Sequence, residues 1–154
     1  MCIRDRRVVL AYTVGIMVAF ILGAAIGTQL VLHSVQSMGL AVSWSARLAA
    51  TGNDLLGLSA SLLPLMALIL IAGWAVAEWL SRRVSRYRHA TTFVLMGAAC
   101  ILILHPLLNV LFGVDAFAPA RTWVGLVAQG CAGAVGGLCF ARVRWAPVDQ
   151  VRAA

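Results

Sequence analysis

Residues 123–141 read WVGLVAQGCAGAVGGLCFA, with no charge between Arg121 and Arg142. Placed on a helix, Gly125, Gln129, Gly133, Gly137 and Ala141 recur every fourth residue and share one face. Ala128, Ala132 and Gly136 form the adjoining row. Such a surface has almost no side chain, so a second backbone can come close. In lipid, association between helices gains no hydrophobic energy, and small faces and polar side chains hold spans together. This segment is therefore the seam on which the other spans pack.

Composition requires lipid. Of 154 residues, 62% are hydrophobic and 11% charged, and mean hydropathy is +0.96. A soluble domain carries about a quarter charged residues. Too few charges are present to cover a globule in water, so the chain reads as one all-α integral membrane domain. The net charge is +7, and every basic residue is arginine. These arginines cluster beside apolar runs, which points to topology and lipid headgroups rather than nucleic acid.

Outward from the seam, a matching stripe appears near the other end of the chain. Val8 to Leu32 is an apolar run in which Ala11, Gly15, Ala19, Gly23 and Gly27 repeat every fourth residue. It is too long for the apolar core of a signal peptide and no cleavage motif follows, so it reads as an uncleaved span. The six residues before Arg7, MCIRDR, resemble translated sequencing adapter and weigh little in the topology.

Two further spans lie between the stripes. His33 to Asp54 is mixed; Ala41, Trp44, Leu48 and Ala49 share one helical side, with Ser43, Arg47 and Ala50 away from it. The pattern predicts a short helix lying in the interface with Trp44 as anchor, a plain loop being the alternative. Thr51-Gly-Asn-Asp breaks it, and Asn53 or Asp54 is placed to cap the next helix. The second span runs over 55–80, with a kink expected at Pro64 and interfacial aromatics at Trp74 and Trp79. The third span covers 91–112, bent at Pro106, with Gly97, Ile101, His105 and Asn109 on one face. The fourth covers 122–141.

Arginines set the orientation. Arg82, Arg83, Arg86 and Arg88 fill one loop, and Arg142, Arg144 and Arg152 follow the last span. The opposite loops hold only Arg47 and Arg121, each with an aspartate nearby. A four-helix up-down bundle in a bacterial inner membrane, with both termini cytoplasmic, satisfies every cluster. The loop arginines Arg82, Arg83, Arg86 and Arg88 are then placed against anionic headgroups. His89 in that loop is expected to be solvated.

Candidate functional residues are few. Gln29, His105, Asn109 and Gln129 fall at two similar levels in the outer half of the first, third and fourth spans, with Thr28 adding a hydroxyl. His105 and Gln129 lie roughly 10 Å below the outer surface at ~1.5 Å per residue. Interhelical hydrogen bonds that fix register account for these residues. The alternative is a small polar pocket open to the outside, with His105 binding a proton or ligand. Glu78 reads as an i, i+4 ion pair with Arg82 at the water boundary, the alternative being a cation or proton ligand.

Catalysis has no support. No nucleophile–base pair, phosphate loop or carboxylate dyad is present. Cys2, Cys100, Cys131 and Cys139 lack metal-ligand spacing and read as small packing residues. His33 and His89 are on opposite sides and His105 stands alone, so no bis-histidine haem is expected within one subunit, and neither metal nor cofactor is implied. Two functions fit: an interaction or scaffold protein of the membrane, and an oligomeric transporter or channel subunit for a small solute or ion. The small stripes either join the first and last helices within one chain, which buries both, or join copies of the chain as a homo-oligomer.

Overall fold

The computed structural model describes residues 3–83, 90–112 and 121–145. These form five helices in the order α1 (Ile3–Ser37), α2 (Trp44–Ser59), α3 (Leu62–Arg83), α4 (Ala90–Phe112) and α5 (Trp123–Trp145). Four of them, all but α2, are long and apolar enough to cross a membrane. Arg86, Arg88, His89, Arg152 and Cys2 lie outside the described residues.

α5 sits between α1 and α4. Its backbone meets α1 where Gly136 faces Gly15 and Ala19, and meets α4 where Gly133 faces Gly97 and Gly137 faces the Phe93 carbonyl. Both pairings run antiparallel, since rising numbers on one helix match falling numbers on the other. Gly15, Ala19, Gly23 and Gly27 are all buried, as are Gly125, Gly133 and Gly137. The two stripes are thus enclosed within a single chain.

One detail departs from the expected seam. The every-fourth row of α5 does not stay on one partner: Gln129 turns to α1, whereas Gly133 and Gly137 turn to α4. At 3.6 residues per turn, a row of every fourth residue drifts by about 40° a step. Over twelve residues it winds a third of the way around the helix. The straight line toward α1 is Gln129, Ala132 and Gly136.

α3 closes the bundle. Met66, Leu70, Trp74, Ala77 and Ser81 form its buried face. Trp74 was expected at the interface and is instead wholly buried, while Trp79 is exposed as expected. The Trp74 ring lies against Gly15, where a Cβ would stand 2.7 Å from the indole, and its Nε1 donates to the Phe93 carbonyl at 3.3 Å. A glycine on α1 and a carbonyl on α4 therefore provide both the room and the polar partner that a buried indole needs.

α2 differs most from expectation. It runs through Thr51–Asp54 without a break and ends at Ser59, so α3 starts at Leu62 rather than Leu55. Pro64 consequently stands at the third position of α3. There its missing N–H had no intrahelical acceptor to lose, so it starts the helix rather than kinking it. Neither Asn53 nor Asp54 is a cap; Ser43 caps α2, its hydroxyl accepting from Ala46 N at 3.2 Å. Gly39, at φ +88°, takes the left-handed turn that reverses the chain after α1. α2 then runs back along α1, with Arg47 near Gln36 and Asp54 near Thr28. The short helix expected around Trp44 is thus present, antiparallel to the last turns of α1.

Pro106 stands inside α4, which continues through it. Thr122 begins α5, its hydroxyl accepting from Gly125 N at 3.0 Å.

Candidate functional site

Of the four polar residues singled out from sequence, Gln29 and Gln129 bond to different helices. Gln129 is buried and its Nε2 donates to the Gly23 carbonyl across the α1–α5 seam at 2.9 Å. Its Oε1 lies over the Gly23 Cα, where a Cβ would meet it at 2.7 Å. Gly23 is small because an amide rests on it. Gln29 instead faces α2: its Nε2 donates to Thr51 Oγ1 at 3.1 Å, and its Oε1 accepts from Arg47 Nη1. His105 is buried in α4, and Asn109, one turn on, is exposed. The register-fixing role thus has a visible instance in Gln129.

Around Gln29 a polar ladder joins α1 and α2. Arg47 Nη2 donates to Gln36 Oε1 at 2.6 Å, and Thr28 Oγ1 donates to Asp54 Oδ2 at 2.7 Å. Arg47, Thr51 and Asp54 lie on one face of α2, turned toward the protein. Trp44, Leu48 and Leu56 are turned outward and are 75% exposed or more. Leu55 and Leu58 also pack inward against the core, so the inward face of α2 is mixed, and its polar members find their partners on α1.

At the opposite end the four long helices meet on one ring. Phe140 of α5 stacks on Trp74 of α3 at 4.8 Å and on Phe93 of α4 at 5.2 Å, and Tyr12 of α1 meets its edge at 4.8 Å. Trp145 adds an edge contact to Phe93 at 5.2 Å. The rings are far apart in sequence; of the four, only Trp74 stood out there, and as an interfacial residue. An aromatic in each long helix within eight residues of an arginine, Tyr12, Trp74, Phe93 and Phe140, was the only signal.

Beyond this ring junction lies a charged cleft. Glu78 Oε1 accepts from Arg82 Nη2 at 3.2 Å, the i, i+4 pair expected, and also from Arg144 Nη2 of α5 at 3.0 Å. Arg82 is 72% exposed, whereas Arg144 and Glu78 are only 18% and 23% exposed, so the pair across helices is the more shielded of the two. Val8, Tyr12, Ala75, Glu78, Trp79, Arg82 and Arg144 line an open cleft of about 340 Å³ there, between α1, α3 and α5. Arg83 stacks over the Trp79 ring at 5.6 Å, at the rim.

Among the described residues no three His, Cys, Asp or Glu side chains come together as a metal site. Cys100, Cys131 and Cys139 are free thiols; Cys100 packs against Gly73, which has no room for a Cβ beside its sulfur. Comparison with family models, curated proteins and solved structures finds no match.

Proposed function

We propose that the chain is a structural or interaction protein of the bacterial inner membrane, a four-span bundle with both termini cytoplasmic and no catalysis of its own. The single observation behind this reading is the filled interior. Backbones touch along α1–α5 and α4–α5, and Trp74, Phe93 and Phe140 close the space among the four long helices. An aqueous path needs a polar, roomy lining; this centre is packed with rings and methylenes. The charged groups of the interior-facing sites lie in two places, the α1–α2 ladder and the Glu78 cleft; between them the core is mostly apolar, with Gln129 bonded across the α1–α5 seam and His105 buried in α4.

Orientation in this reading follows from the arginines. Arg82, Arg83, Arg142 and Arg144 share the end of the bundle that also holds the start of α1. The positive-inside rule assigns that end to the cytoplasm, where Arg82 and Arg83 face anionic headgroups.

Reconstitution tests the reading. The purified chain in liposomes should leave proton, sodium, potassium and chloride flux at the level of empty vesicles, and crosslinking in the membrane should show a monomer or a complex with another protein. Flux above empty vesicles, carried by a homo-oligomer, would establish the transporter reading instead.

A further inference from the structure

We propose that the cleft at the arginine end is a binding site for one anionic phospholipid, recognised by its phosphodiester. Three observations converge on that occupant. First, the cleft holds two guanidiniums and one carboxylate, which leaves an excess of one positive charge. Second, both arginines spend an Nη2 donor on the same atom, Glu78 Oε1. A guanidinium carries five N–H donors in a fixed fork, so among the described residues each arginine keeps donors for a further acceptor. Third, the remaining wall is apolar or aromatic, from Val8, Tyr12, Ala75 and Trp79.

An isolated anion would gain nothing from that apolar wall. A phospholipid matches both halves, its phosphate on the guanidiniums and the first methylenes of an acyl chain along Val8 and Ala75. Trp79 lies at the level where indoles meet headgroups. Glu78 has a positioning role here. It holds Arg82 and Arg144 side by side from two helices and keeps the cleft from carrying two uncompensated charges. A lipid seated there contacts α1, α3 and α5 together and ties their ends.

The test uses the full chain, purified in a non-ionic detergent and stripped of lipid. It is then exposed separately to phosphatidylglycerol, phosphatidylcholine and inorganic phosphate, and bound species are counted by native mass spectrometry. The parent should retain one phosphatidylglycerol and neither of the others. The R82Q/R144Q variant should retain about tenfold less, the equivalent of one charge-assisted hydrogen bond. Ala75→Phe fills the cleft from an exposed position without touching a charge, and should lower retention to the same degree. It decides the matter alone if the double variant fails to give a monodisperse bundle. Equal retention of phosphatidylcholine, retention of free phosphate, or undiminished phosphatidylglycerol on a folded variant would each overturn the proposal. Ion flux is not read in this experiment, so its outcome is separate from that of the structural reading above.

Discussion

Gly97 of α4 and Gly133 of α5 face each other so closely that the carbonyl oxygen of each occupies the space a Cβ on the other would need. Two helices reach this separation only when both residues lack a side chain, and the gain is dispersion contact along both backbones.

Gly97→Ala and Gly133→Ala should therefore each destabilise the bundle by about 1–3 kcal/mol, the usual cost of overpacking. Here the obstacle is backbone and cannot rotate away. Gly57→Ala in α2, where a Cβ meets open space, should be neutral or stabilising by up to about 1 kcal/mol. Thermal unfolding in detergent, followed by circular dichroism, compares the three. Parent-like stability in Gly133→Ala would mean the helices are farther apart than described.

Gln129 and Gly23 should be energetically coupled. Gln129→Leu removes the bond to the Gly23 carbonyl, worth ~0.6–2 kcal/mol in a membrane. Gly23→Ala alone forces the amide off its seat, but in a Gln129→Ala background the added methyl has lost its obstacle. A double-mutant cycle should therefore show Gly23→Ala costing clearly less in that background. Strict additivity would mean that the amide does not rest on Gly23.

Glu78 should matter far more through Arg144 than through Arg82. Glu78→Ala leaves Arg144, which is mostly shielded, without its carboxylate, at a cost of about 1–3 kcal/mol. Arg82→Ala breaks only an exposed pair and should cost no more than about 0.5 kcal/mol. Denaturant titration of the two variants separates them; a larger loss in Arg82→Ala would reverse the assignment.

Arg47 clamps α2 to α1 by bonding both Gln29 and Gln36. Arg47→Ala should speed amide hydrogen exchange in α2 while α4 and α5 keep the protection of the parent. Unchanged exchange in α2 would show that apolar contacts of Leu55 and Leu58 suffice to hold it.

How much of this was legible depends on the range of each contact. The α1–α5 pairing could be read because small residues at helical spacing have little other use in an apolar run, and Gly15, Ala19 and Gly23 are where the stripe put them. The division of the α5 row between two partners could not, because spacing alone ignores the angular drift of a fourth-residue row. Pro64 misled because a proline inside an apolar run reads as a kink unless the preceding helix is known to stop at Ser59. In α2 the two faces were identified, but which of them meets protein depends on Thr28, Gln29 and Gln36 lying opposite. The aromatic junction and the Arg144–Glu78 pair were hidden for the same reason: their members are 66 residues apart in the case of the ion pair. Of the proposed pocket residues, Gln29 and Gln129 bond across helices to separate partners, which spacing within one helix does not show.

The pairing of α1 with α5 inside one chain is most directly tested by a disulfide. A Cβ on Gly23 would lie 3.9 Å from that of Ala132, close to the ~3.8 Å mean of natural disulfides. Gly23→Cys with Ala132→Cys, in a chain whose own four cysteines are replaced by serine, should oxidise in native membranes to an intramolecular bridge, giving a monomer of altered gel mobility that reverts on reduction. A disulfide-linked dimer, or no bridge at all under oxidation that crosslinks a control pair, would contradict the seam.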